Sequence, residues 1–160
     1  MIIVFKKMKI VLENHQKTKK LGELVGKEIL KKGEGIFLAL EGDLGSGKTT
    51  FLQGVAKGLG VKESISSPTF VIYKKYDTEK GLSFFHFDAY RIKKEDLEIL
   101  NFYEIIANDK NIVAVEWSEN IKGEIPKKAV TLSFSLFKES QRRLIVKGNN
   151  GIITNTCLSF

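Results

Sequence analysis

The sequence predicts an α/β fold, a three-layer sandwich with a central mixed β-sheet, flanking helices and antiparallel hairpins at the sheet margins. Three observations predict it. Ile36–Leu40 and Ile112–Val115 are short, wholly apolar runs of the kind that form strands buried on both faces. Segments of helical spacing alternate with strand-like segments along the chain. Near the C-terminal end, Val130–Phe137 and Leu144–Lys147 alternate in polarity around a polar turn at 139–141, the pattern of a hairpin.

The elements follow in order. Met8–Leu12 reads as a short first strand, with residues 1–7 a loose leader and Met8 an alternative start. Leu21, Leu24, Val25 and Ile29 fall at helical spacing among lysines, with Thr18 the expected N-cap and Gly33 and Gly35 the stop. After the buried strand Ile36–Leu40 comes a glycine-rich turn, then a helix over Thr50–Leu59 ended by Gly60. Thr69–Tyr76 and Leu82–Phe87 read as two strands around a turn at 77–81. Glu95–Ala107 is helical in character and broken near Asn101. Residues 8–148 are expected to form a single domain, and 149–160 a loose tail.

Composition narrows the function. The 160 residues are 42% hydrophobic and 28% charged, the balance of a folded soluble chain. No apolar run approaches the ~18 residues of a membrane span. Cys157 is the sole cysteine, so an internal disulfide is excluded and zinc-type cysteine spacings are absent. An intracellular, cytoplasmic protein is expected. The net charge of +7 favours polyanionic partners such as nucleotides or nucleic acid. Only Arg91, Arg142 and Arg143 are arginines, which argues against a reader of DNA sequence.

The strongest motif is Gly42-Asp43-Leu44-Gly45-Ser46-Gly47-Lys48-Thr49, which fits G-x-x-x-x-G-K-[ST] and sits between a buried strand and a helix. It makes the expected fold P-loop NTPase-like. Backbone amides of such a loop surround a phosphate, and the helix N-terminus adds its positive dipole end. Lys48 is placed to reach the β- and γ-phosphates, and the Thr49 hydroxyl to ligate Mg²⁺. Leu44, Gly45, Ser46, Gly47, Lys48, Thr49 and Thr50 are the candidate nucleotide-binding residues here.

Hydrolysis needs carboxylates as well. Glu116 follows the apolar strand Ile112–Val115, a Walker-B-like position from which it can approach the metal. Asp88 closes the strand ending Phe84-Phe85-His86-Phe87 and shares a face with His86. Asp88 is placed to polarise water or complete the metal shell. A histidine in this position is more commonly a structural hydrogen-bonder. Arg91 is near enough in sequence to pair with Asp88 or a phosphate. The lone Trp117, adjacent to Glu116, is open to two roles, in the core or packed beside the nucleotide, the core being the more common one. Ser66-Ser67-Pro68-Thr69-Phe70 resembles a switch loop, with Ser67 and Thr69 as its candidate sensing residues. The guanine signature [NT]-K-x-D is absent, so adenine is the default base.

Together these segments resemble one family, TsaE (also called YjeE). The resemblance rests on Gly42–Phe51, Ser67-Pro68-Thr69-Phe70, His86-Phe87-Asp88-Ala89-Tyr90-Arg91 and Val115-Glu116-Trp117, and covers roughly Ile10 to Val146. It implies an Mg²⁺-dependent ATPase, slow alone and stimulated by partners. It further implies action with TsaB- and TsaD-like proteins in threonylcarbamoylation of adenosine-37 in tRNAs reading codons that start with A. Contact with tRNA is then indirect, through the complex. By the same resemblance Thr49 and Glu116 are metal ligands, and Asp88, Glu116 and Lys48 serve hydrolysis. Residues near Asn14–Thr18 and Arg142 approach the base, which adds Asn14 and Arg142 to the nucleotide-binding set. Two other classes share parts of this pattern: a P-loop kinase of small molecules or nucleotides, and a nucleotide-dependent tRNA-binding module without catalysis.

Overall fold

The computed structural model describes residues 7–68, 70–148 and 150–160. Its sheet has seven strands in the order β1-β7-β6-β2-β5-β4-β3 among the described residues. The strands are β1 (Met8–Leu12), β2 (Ile36–Glu41), β3 (Tyr73–Asp77), β4 (Ser83–Asp88), β5 (Asn111–Glu116), β6 (Val130–Lys138) and β7 (Gln141–Lys147). The four central strands, β6, β2, β5 and β4, run parallel to one another. The margins are antiparallel, with β3 on β4 at one edge and β7 with β1 at the other. This is the mixed sheet with marginal hairpins that the sequence predicts.

Helices cover both faces. On one side lie α1 (His15–Lys32), α2 (Lys48–Gly58) and α5 (Gly151–Ser159), packed over Leu38, Leu40, Ala114 and Leu132. On the other lie α3 (Lys94–Ile99), α4 (Phe102–Ala107) and a 3₁₀ segment at Ser118–Glu124, packed over Phe37, Ala39, Phe87 and Val115. The alternation of the two residue sets along β2 is the period of two of a strand buried on both faces. The break expected near Asn101 is present, and Asn101 adopts the left-handed conformation between α3 and α4.

Several boundaries differ from expectation. The strand expected from Thr69 begins only at Tyr73, because the chain turns at residues 70–72, with Ile72 in the left-handed region at φ +68°. Thr18 is not the N-cap of α1. Asn14 is, its side chain accepting the Lys17 N–H at 2.9 Å. Asn caps at least as well as Thr, and Thr18 instead returns its hydroxyl to the Asn14 carbonyl from inside the first turn. The loose tail expected over 149–160 is also corrected. Residues Gly151–Ser159 form α5, which Asn150 caps through the amides of Ile152 and Ile153. The helix lies against α1 and buries Ile153 and Cys157. Burial pushes the Cys157 thiol up to about 11.

The α1–α2 contact fixes the height of the helical layer. Gly22 and Gly26 of α1 face Gly54 and Gly58 of α2, and no larger residue fits. A Cβ at Gly54 would lie 2.0 Å from the Lys19 carbonyl oxygen, and one at Gly26 2.2 Å from that of Val55. Above this seam Glu23 meets Lys27 at 2.8 Å and Lys57 of α2 at 3.1 Å. Hydrogen bonds from these two lysines hold the Glu23 carboxyl at about 2.

Two outcomes are expected. Gly54→Ala gains ~1 kcal/mol of helix propensity but meets rigid backbone, and the net loss in chemical denaturation is about 2 kcal/mol. Glu23→Gln costs roughly 1 kcal/mol at pH 7, since its lysine partners are half exposed. The Glu23 carboxyl titrates lower in the folded chain than the ordinary 4.5, so its contribution is complete above pH 4.5. The gap between wild type and Glu23→Gln therefore narrows as pH falls from 4.5 towards 2, read by urea unfolding across that range.

Candidate nucleotide site

The site grows from the end of β2. The chain leaves Glu41 and turns through residues 42–47 before α2 begins at Lys48. Gly42 has φ +131°, and a Cβ there would lie 2.2 Å from the Phe134 carbonyl oxygen. Gly47, the N-cap of α2, has φ +106°, a conformation that L side chains rarely adopt. The loop thus closes over the N-terminus of an 11-residue helix, where the dipole is positive.

Lys48 folds back over this loop. Its ammonium donates to the carbonyl oxygen of Gly42 and, at 2.9 Å, to that of Asp43. It also stands 4.1 Å from the centre of the Trp117 ring, a cation–π distance. Burial lowers the Lys48 pKa, and the nearby charge of Glu116 opposes that shift.

The carboxylates come from the neighbouring strands. Parallel pairing sets Leu40 of β2 beside Glu116 of β5, and Glu116 beside Asp88 of β4. The Thr49 hydroxyl lies 2.9 Å from each Glu116 oxygen. Glu116 Oε1 also meets His86 Nε2 at 2.8 Å. Asp88 accepts from the Ser67 hydroxyl at 2.7 Å and from the Tyr90 amide at 2.9 Å. Its own N–H donates to the Ile72 carbonyl oxygen at 2.8 Å, so Asp88 holds the 67–72 loop at two points.

These groups line one cavity of about 430 Å³. Leu44, Gly45, Ser46, Gly47, Lys48, Thr49, Thr50, Ser67, Asp88 and Glu116, all expected from the sequence, are among its walls. His15, Tyr90 and Trp117 complete it. Trp117 combines both expected roles, walling the cavity and packing against the apolar layer that holds Phe87 and Val115. It adopts a left-handed backbone (φ +58°) just after β5 and packs against Tyr90, with ring centres 5.0 Å apart.

Asn14 and Arg142 are not wall residues. Asn14 spends its side chain on the cap of α1, while the adjacent His15 faces the cavity. Arg142 is buried in β7 close behind the loop, its Cγ 3.8 Å from where a Gly47 Cβ would stand. Its Nη1 donates to the Gln141 carbonyl, but its Nε has no hydrogen-bond partner. Thr69 lies outside the described residues.

The residues fit a magnesium–triphosphate. Among the described residues no group of three or more His, Cys, Asp or Glu could hold a metal by itself. Mg²⁺ needs none, since it is held through one or two protein oxygens, phosphates and water. Thr49 and Glu116 are such oxygen donors, set next to the loop. The buried Ser46 hydroxyl lacks a hydrogen-bond partner among the described residues, a polar group left over in the loop itself.

A strand–loop–helix with this lysine and threonine, faced by a carboxylate at the end of the adjacent parallel strand, defines a P-loop protein. The model of the family described as "Threonylcarbamoyl adenosine biosynthesis protein TsaE" matches residues 12–145, and the chain belongs to that family. Relatives named "tRNA threonylcarbamoyladenosine biosynthesis protein TsaE" include one from a Nostoc species, 41% identical over 71% of this chain and 69% of its own. Another, from Treponema pallidum, is 32% identical over 87% of this chain and 99% of its own. The crystal structure of YdiB from Bacillus subtilis superimposes with a TM-score of 0.71 at 26% identity, covering 99% of this chain and 96% of that one.

Lys48→Ala removes the charge from the loop. ATP binding, read by calorimetry, is expected to fall below detection in a variant that keeps its melting temperature within a few degrees. Wild-type affinity in that variant would dismiss the loop as the phosphate site.

Proposed function

We propose that this chain binds ATP with Mg²⁺ in the cavity over the 42–49 loop and hydrolyses it. In this reading hydrolysis serves threonylcarbamoylation of adenosine-37 in tRNAs that read codons starting with A. The chain acts there with TsaB- and TsaD-like partners in the cytoplasm, and meets tRNA through them. The observation that carries the reading is the Thr49–Glu116 contact beside Lys48 at the start of α2. Membership of the TsaE family supplies the pathway.

The division of labour follows from the side chains. Lys48 and the N-terminus of α2 bind phosphate oxygens. Thr49 and Glu116 hold the Mg²⁺ ion. The ion, when bound, neutralises charge that develops on the phosphates during hydrolysis. Asp88 is buried and already oriented by Ser67 and Tyr90, and it aligns the attacking water. The bond between Ser67 and Asp88 ties this step to the exposed loop that follows α2, a route by which a partner can influence the rate.

The test is ATP turnover with and without TsaB- and TsaD-like proteins of the same cell. The rate alone is expected to be low and to rise when both partners are present. Asp88→Ala is expected to lose about 10²-fold of the stimulated rate, the scale of a positioned acid–base group. A stimulated rate unchanged in Asp88→Ala would remove that residue from the reaction. Turnover that instead tracks the addition of a phosphoryl acceptor would make the protein a kinase.

A further inference from the structure

His86 has no part in the reading above, yet it is the most completely buried polar residue near the site, with 0% exposure. It lies on β4 between Phe84 and Asp88, on the sheet face that carries Glu116. The Phe84 ring is nearly parallel to the imidazole, 10° off at 6.3 Å. The backbone pairs His86 with Ala114, so Glu116 is reached diagonally, two residues further along β5.

That diagonal contact is specific. Nε2 meets Glu116 Oε1 at 2.8 Å, while Nδ1 is buried without a hydrogen-bond partner among the described residues. A carboxylate only accepts, so the ring hydrogen must be on Nε2. Nδ1 is the ring nitrogen that this contact leaves unused. The alternative tautomer would place two acceptors 2.8 Å apart and bury an unpaired N–H as well.

We propose that His86 is a positioning residue for Glu116. Its Nε2–H pins Oε1 from behind and so orients the carboxylate towards Thr49 and the divalent ion. The proposal rests on the Mg²⁺–nucleotide reading of the site. It adds that the carboxylate's orientation is set from inside the sheet, by a residue that touches neither nucleotide nor metal. A hydrogen bond to the back of a metal-binding carboxylate fixes its rotamer, and loss of such a partner typically costs 10–100-fold in metal affinity.

Two measurements test it. The first is the Mg²⁺ dependence of binding of a fluorescent ATP analogue to wild type, His86→Leu and His86→Gln. His86→Leu is expected to need ~10–100-fold more Mg²⁺ for half-maximal effect, while binding without Mg²⁺ stays unchanged. His86→Gln carries an amide donor of similar reach and is expected to recover most of the loss. A folded His86→Leu with the wild-type Mg²⁺ midpoint overturns the proposal, as does an equal shift in His86→Gln. The second measurement needs no variant: long-range ¹H–¹⁵N correlation spectra of the wild-type imidazole. Hydrogen on Nε2 is expected, and an Nε2 without hydrogen would overturn the proposal even if His86→Leu did not fold. Wild type that binds no nucleotide at any Mg²⁺ concentration would instead sink the nucleotide reading, leaving the tautomer result to judge the His86–Glu116 contact.

Discussion

The parallel register between β2 and β5 sets the geometry of the site. Because Leu40 pairs with Glu116, the carboxylate stands level with the end of β2 just before the chain enters the loop. One residue of slip would send Glu116 to the opposite face of the sheet, into the apolar layer around Phe87 and Phe102. The apolar residues that resist such a slip lie on both faces, Leu38 and Ala114 on one and Phe37 and Val113 on the other. Packing that stabilises the core therefore also aligns the chemistry, since strand pairing sets the height at which Glu116 meets Thr49.

The helical layer is held to the same tolerance. The glycine seam between α1 and α2 brings the two backbones into direct contact, which fixes α2 laterally and hence the amides and side chains of its first turn. The Glu23 cluster with Lys27 and Lys57 clasps the same pair of helices from the solvent side. Behind the loop, Arg142 and Phe134 of the C-terminal hairpin approach Gly47, and Phe134 packs on Phe51 of α2. The loop is thus braced by the helix seam, the hairpin and β5, elements far apart in sequence.

Much of this was legible before any fold was known. The phosphate loop announced itself through eight contiguous residues whose spacing has a mechanical reason. Glu116 and Asp88 were readable because each ends an apolar run that could only be a buried strand. What stayed hidden depended on three-dimensional register or on docking. The His86–Glu116 contact is diagonal between parallel strands and has no signature in sequence. Asn14 and Thr18 are both capping residues, and the apolar stripe begins too late, at Leu21, to choose between them. Helix α5 opens on glycine and is rich in β-branched residues of low helix propensity, so it owes its form to the face it buries on α1. Bulk and position leave Trp117 two roles in the sequence, and the fold uses both, with the residue at once against the apolar layer and in the cavity wall.

The seating of α5 has a practical corollary. The chain's sole thiol is shut beneath this terminal segment, and at neutral pH almost none of it is the reactive anion. A thiol-directed reagent can reach it only while the segment is lifted away. The speed of modification thus becomes a clock for that lifting, one that needs no engineered label.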